Sequence, residues 1–237
     1  MFIKTLFDKR ACEDKLRTGW GLSFLVDNRF IFDTGEKGEW LMENMDRLGV
    51  RPGDIEAAVI SHDHWDHWGG LWDLLGARKG LKVYCCSRFG EEFKAKAKGL
   101  GAELTENDDF VQIHKKIYLT GQIDGSFKNA YIAEQSMVIK TSNGVSLFTG
   151  CAHPGIVRIL ETVKNRFSGE DIYAVIGGFH LMHESAGAIK AVVEKFRELG
   201  VKNVFPTHCS GDEAEEAFKN VYGRRFGKVI VGQTLEI

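Results

Sequence analysis

The chain has 237 residues and is 43% hydrophobic, which is enough to bury a substantial core. Lys and Arg number 31 against 33 Asp and Glu, a formal charge of -2, so no global basic field argues for a nucleic-acid or anionic-membrane partner. The N-terminal run MFIKTLFDKRACEDKL is interrupted by charge every few residues and lacks the apolar stretch of a signal peptide, so the expectation is a soluble, cytoplasmic protein.

Five cysteines, Cys12, Cys85, Cys86, Cys151 and Cys209, are odd in number and show no CxxC spacing, which suits a reducing compartment better than a disulfide framework. Cys12, Cys85 and Cys86 read as core thiols. With three prolines and no linker or low-complexity block, residues 1–237 are expected to form a single domain.

In chain order, strands are expected over Met1 to Phe7, Gly21 to Val26 and Arg29 to Asp33, with Asp27-Asn28 as the tight turn between the last two. Trp40, Leu41, Met45 and Leu48 have helical spacing, and Gly49 ends that helix. Ile55 to Ile60 reads as a buried strand, and Gly69-Gly70 leads into a helix through Leu75. Leu81 to Cys85 is a strand and Glu91 to Leu100 a helix. Strands return at Phe110 to Ile113, Lys116 to Thr120, Met137 to Thr141 and Val145 to Thr149, with Ser142-Asn143-Gly144 as a turn. Helix and strand then alternate: helices over Ile156 to Phe167, Ala186 to Leu199 and Glu213 to Val221, strands over Ile172 to Ile176, Val201 to Phe205 and Val229 to Leu235. The order is β-rich, then β-α, twice over. Two sheets, each covered outside by helices, account for it.

The stretch ISHDHWDHWGG, residues 60–70, places His62, His64, Asp66 and His67 where a strand gives way to a loop. Three later histidines share that setting: His153 after Phe148-Thr149-Gly150, His180 after Ile176-Gly177-Gly178, and His208 after Phe205-Pro206-Thr207. Lone histidines are ordinarily satisfied core or loop residues. Four strand-to-loop junctions that each deliver an imidazole are a ligand set suited to zinc, iron or manganese.

HxHxDH (His62, His64, Asp66, His67) followed by Gly69-Gly70, with His153 and His208 downstream, resembles the signature of the metallo-β-lactamase superfamily. The resemblance implies an αββα four-layer sandwich with two mixed sheets and helices on the outer faces. It also implies one or two divalent transition-metal ions, zinc first and manganese or iron as alternatives. His62, His64 and His153 would hold the first ion; Asp66, His67 and His208 the second, with Asp33 supporting the ligands from behind.

Relatives place a bridging carboxylate where this chain has His180. A single imidazole nitrogen cannot bridge two cations in that way, so the second site is expected to be weaker or the pair more widely spaced; His180 is expected to contact metal or substrate. The runs Thr149-Gly150-Cys151-Ala152-His153-Pro154-Gly155, Gly177-Gly178-Phe179-His180-Leu181 and Pro206-Thr207-His208-Cys209 resemble the dihydropterin synthase-like branch. Some of its members join a dihydropterin diphosphate to a ribofuranosyl-aminobenzene phosphate.

Asp63 is expected to face away from the ligands. Trp65 and Trp68, flanking ligands, are candidates to wall a substrate pocket, and Trp72 to pack in the core. His183 is expected to line the pocket or cap the following helix. Cys151 is expected on the face of His153, and Cys209, which follows His208, to point the other way from it, both as structural thiols.

The expected function is a metal-dependent enzyme acting on a small phosphorylated or ester metabolite, with Asp66 and His180 as catalytic candidates. The alternatives are a hydrolase of the phosphodiesterase or lactonase type and a non-catalytic metal-binding or sensor module. The expected partner is a small molecule, with neither nucleic acid nor membrane, and the sequence leaves the oligomeric state open.

Overall fold

The computed structural model describes residues 1–237. In chain order the elements are β1 (Phe2–Phe7), β2 (Ser23–Val26), β3 (Phe30–Phe32), α1 (Gly38–Arg47), β4 (Ala57–Val59), α2 (Trp65–Trp68), α3 (Leu71–Ala77), β5 (Lys82–Cys85), α4 (Glu91–Gly99) and β6 (Glu103–Glu106). After these come β7 (Val111–His114), β8 (Ile117–Leu119), β9 (Ile123–Phe127), β10 (Ala130–Glu134), β11 (Met137–Thr141), β12 (Gly144–Thr149), α5 (Ile156–Arg166), β13 (Ile172–Gly178), α6 (Ala186–Glu198), β14 (Asn203–Thr207), α7 (Asp212–Tyr222) and β15 (Thr234–Glu236). The chain divides into two compact units, one of Met1–Asp108 with Ile230–Glu236 and one of Asp109–Val229 with Ile237.

The first unit holds a seven-stranded mixed sheet in the order β15-β1-β2-β3-β4-β5-β6. β2 and β3 form a hairpin whose turn residues, Asp27 and Asn28, have φ of 52° and 59°. That is the left-handed pair whose twist suits a two-residue hairpin. From β3 to β6 the strands run parallel. α1 turns Leu41, Asn44 and Met45 inward. Asn44 is buried because its Nδ2 donates to the carbonyls of Leu6 and Arg17, each at 2.8 Å, and its Oδ1 accepts from Arg17 N at 2.7 Å.

The second unit holds a six-stranded mixed sheet in the order β14-β13-β12-β11-β8-β7, plus the separate hairpin β9–β10. α5 buries Ile156, Ile159, Leu160 and Val163, the i, i+3, i+4, i+7 stripe of an amphipathic helix. α6 and α7 contribute Phe196 and Phe218, which meet Phe179 with ring centroids 4.9–5.4 Å apart. This aromatic trio anchors both helices beside the segment that carries His180.

Several expectations are corrected. The strand expected over Val229 to Leu235 is reduced to Thr234–Glu236, with Val231 making one isolated bridge to Ala11. β6, β9 and β10 were not anticipated: β6 reads ELTE and is largely exposed, while β9 and β10 mix Asp, Ser and Glu into short runs joined by Lys128-Asn129 without a glycine. The segment after His64 is a short helix, α2, rather than an irregular loop. Cys12 is exposed rather than in the core, whereas Cys85 and Cys86 are buried as expected. No helix is long and apolar enough to cross a membrane.

Candidate metal centre

Parallel neighbours deliver their carboxyl ends side by side, and both units use this. In the first, β3 and β4 are in register Phe32↔Val59, so the residues just beyond them, Asp33 on one and Ile60-Ser61-His62 on the other, emerge together. Asp33 binds the loop after β4 at once: Oδ1 accepts from Ser61 N and Oδ2 from Ser61 Oγ, each at 2.7 Å. Oδ2 also lies 2.7 Å from His67 Nδ1. Asp33 and His67 have fully buried side chains. A histidine whose Nδ1 is tied to a carboxylate keeps Nε2 for a ligand, which is the usual support of a metal-binding imidazole.

His62 is held in the same way by Ser61, whose Oγ lies 2.9 Å from His62 Nδ1. Its other nitrogen, Nε2, is 3.1 Å from His64 Nδ1, and His67 Nε2 is 3.4 Å from Asp66 Oδ2. Three imidazoles and a carboxylate are thus gathered where water is largely excluded. Burial disfavours a charged His67, yet Asp33, and after it Asp66, outweigh that and hold it well above the ordinary imidazole range. Asp33 and Asp66 thus set two carboxylates against the His67 ring, a donor set that suits a cation.

Two glycines make this packing feasible. A Cβ at Gly69 would strike the carbonyl of Glu36, and one at Gly70 that of Thr34. α2 is therefore drawn against the loop after β3, where Thr34 N and Oγ1 both donate to His67 O, at 2.8 and 3.0 Å. Asp63 faces away from the ligands, as expected: its carboxylate accepts from Trp68 Nε1 at 3.0 Å and Gly90 N at 2.7 Å.

In the second unit β12, β13 and β14 are parallel neighbours, in register Thr149↔Gly177 and Gly178↔Thr207. His153, His180 and His208 lie just past these three strand ends. The rings of His153 and His180 are 4.4 Å apart, and Phe127 of the β9–β10 hairpin meets both edge-on at 5.2 and 5.8 Å. Donor atoms of Cys151, His153 and His180 lie within 4.8 Å of one another, as do those of Cys151, His208 and Cys209. Each group presents nitrogen and sulfur donors to one small volume, a set that fits zinc or iron.

Both thiols are buried, and Cys209 is closer to this cluster than its alternation with His208 implied. Its Sγ donates to the Cys151 carbonyl at 3.5 Å. Burial pushes the Cys209 thiol up, but Cys151, His208 and His180 outweigh burial and hold it well below the ordinary thiol range. His180 is raised in return, chiefly by its hydrogen bond with Cys209, against the effect of its own burial. Asp171, at the far end of β13, is engaged by Lys202.

Backbone strain marks the same positions. Eight non-glycine residues have positive φ, and four of these, Asp27, Asn28, Lys128 and Asn129, make two hairpin turns. The other four are Asp33, Ala152, His180 and His208, with φ from 50° to 64°, each just past the carboxyl end of a strand. Left-handed backbone costs roughly 1–3 kcal/mol at such residues and persists where the surroundings enforce it.

Glu134, the last residue of β10, carries a role that the sequence did not announce. Its Oε1 accepts from Cys151 N at 3.0 Å and Ala152 N at 2.8 Å, and its Oε2 from His153 N at 2.8 Å. One buried carboxylate thereby fixes the loop that presents His153. Ser61 was likewise missed, although it directly precedes His62.

The candidate substrate contacts fare differently. Trp65 is 53% exposed. Trp68 and Trp72 pack on one another and on Phe93, so Trp68 serves the packing of the loop. His183 is exposed, and the cap it was offered belongs to Ser185, whose Oγ accepts from Ala188 N at 3.2 Å.

The family model of the metallo-beta-lactamase superfamily matches residues 21–208. A 7,8-dihydropterin-6-methyl-4-(beta-D-ribofuranosyl)-aminobenzene-5'-phosphate synthase of Methanocaldococcus jannaschii is 26% identical over 91% of this chain and 89% of its own length. A crystal structure described as a metal-dependent hydrolase of the beta-lactamase superfamily is 28% identical, with a TM-score of 0.86 over 100% of this chain and 99% of that one. Human tRNase Z, short form, shares the fold at 14% identity, with a TM-score of 0.67 over 100% of this chain and 99% of that one. The two mixed sheets with their helices are thus the metallo-β-lactamase fold, and the chain belongs to the metallo-beta-lactamase superfamily.

Proposed function

We propose that this protein is a cytoplasmic, metal-dependent enzyme that acts on a small phosphorylated or ester metabolite, by condensation of a dihydropterin diphosphate with an arylamine. The observation that carries the metal dependence is the support built behind the donors: Asp33 and Ser61 fix His67 and His62, and Glu134 fixes the loop of His153. On the division of ligands that the resemblance implies, His62, His64 and His153 would hold the first divalent ion, and Asp66, His67 and His208 a second. Such an ion supplies Lewis-acid stabilisation of developing negative charge and lowers the pKa of a water that it holds.

The protein's own residues have distinct tasks. Asp66 accepts a proton or a hydrogen bond from the attacking group, and Asp33 keeps the His67 ring from turning. His180, whose ring lies 4.4 Å from that of His153, would contact the metal or the metal-bound substrate. Trp65, exposed after His64, offers a flat face to the substrate.

The similarity to the archaeal synthase along most of both chains favours condensation. A second reading, hydrolysis, is favoured by the resemblance to the metal-dependent hydrolase, which covers both chains almost completely. The two separate in one assay: metal-loaded protein is incubated with the dihydropterin diphosphate, with and without the ribofuranosyl-aminobenzene phosphate, and products are followed by mass spectrometry. Diphosphate release that requires the arylamine supports condensation. Release without it supports the hydrolase, and no turnover of these or of generic phosphodiesters and lactones contradicts both.

A further inference from the structure

The second unit has a cleft of about 330 Å³ that His153 and His180 help to line. Apart from Glu184 the rest of its lining is apolar: Ile156 and Val157 from the first turn of α5, Ala188 and Val192 from α6, and Phe179 and Leu181 from the segment between β13 and α6. Ala188 and Val192 are one helical turn apart and half-buried, whereas the helix's core stripe is Ile189, Val193 and Phe196. α6 therefore presents a second apolar strip, outside the one that holds it to the sheet. No lysine or arginine lines the cleft, and its one carboxylate is Glu184, which is solvent-exposed and so stands at the mouth.

We propose that this cleft is the subsite for a planar heteroaromatic ring that carries N–H donors along one edge, such as an aminopyrimidine-type ring. The inference rests on the function proposed above and names the part of the substrate recognised away from the reacting bond. An apolar cleft takes the flat face of a ring, and a volume of this size lies at the lower end of small-molecule sites. Adjacent N–H groups on a ring edge match the two oxygens of a carboxylate in a paired hydrogen bond, and Glu184 is placed to accept it. The same negative charge disfavours a phosphate beside it, so the anionic end of the substrate is placed at His153 and His180 rather than at Glu184.

The test is direct binding of 6-hydroxymethylpterin, followed by its own fluorescence, to metal-loaded wild type, Val192→Trp and Glu184→Gln, with metal content measured in each. Val192→Trp fills the cleft and Glu184→Gln keeps its shape while weakening the acceptor; both positions lie outside the packed core, and Glu184→Gln keeps the test valid should the tryptophan perturb folding. The expected result is a Kd raised about tenfold or more in each variant, the loss of a charged hydrogen bond or of the ring's seat, with metal content unchanged. Equal affinity in all three proteins overturns the subsite, as does a metal-loaded wild type that ignores the pterin but binds octanoate in a manner abolished by Val192→Trp. A wild type that takes up no metal contradicts the proposed function instead, whatever the cleft binds.

Discussion

His67 Nδ1 lies 2.7 Å from Asp33 Oδ2, and neither side chain reaches solvent. Because the same carboxylate also takes two hydrogen bonds from Ser61, the parallel register of β3 and β4 is converted into the orientation of two candidate ligands, His62 and His67. Asp33→Asn would present an amide N–H to one of these donors and turn at least one ring. Metal affinity is expected to fall about 10–100-fold, the usual effect of removing such support, as read by competition with a chromophoric chelator. An unchanged Kd would show that Asp33 only stabilises the fold.

Glu134→Ala leaves three buried N–H groups, those of Cys151, Ala152 and His153, without their acceptor. The cost is at least about 2 kcal/mol, which for a chain of this length lowers Tm by about 4–8 °C. Glu134→Gln retains part of the acceptor and is expected to fall between. A melting curve for Glu134→Ala that overlays the wild type would contradict the account of this loop.

The two cysteine environments predict opposite reactivities. Burial, and then the nearby Glu106 carboxylate, push the Cys85 thiol up to about 12. A raised thiol pKa means that the nucleophilic thiolate is absent below that pH, so Cys85 stays inert at pH 8 while exposed Cys12 reacts. Iodoacetamide labelling of the folded protein, mapped by peptide mass, should modify Cys12 well before Cys85. Equal labelling would contradict the burial of β5.

The sequence made the candidate metal ligands legible and left their support hidden, for a physical reason. Ligands are chemically distinctive residues placed next to apolar strands, so His62, His64, Asp66, His67, His153, His180 and His208 can each be located at a strand end from hydropathy alone. Glu134 sits in a hairpin whose strands contain Asp124, Ser126 and Glu134 and whose turn, Lys128-Asn129, lacks glycine, so no alternation or turn signal reveals it. Alternation along the strand would point Cys209 away from His208, but β14 ends at Thr207, and the left-handed backbone at His208 redirects the chain before Cys209. The division near Asp108 leaves no trace in composition because each unit builds its own sheet from ordinary strands and needs no linker.

On the ligand division proposed above, with an imidazole, His180, where the superfamily pattern implies a bridging carboxylate, occupancy of the two sites is expected to be unequal. After gentle dialysis the His208→Ala variant is expected to retain the ion assigned to His62, His64 and His153, with near-wild-type affinity. Two ions held equally tightly in the wild type would contradict this.

On this reading the buried imidazole and carboxylate donors exist to bind metal. Elemental analysis of wild type and of the His62→Ala/His64→Ala double variant, each reconstituted with zinc, manganese or iron and then desalted, tests it most directly. The account predicts one to two ions per chain in the wild type and loss of at least one in the double variant. A wild type that emerges metal-free from all three reconstitutions would contradict it.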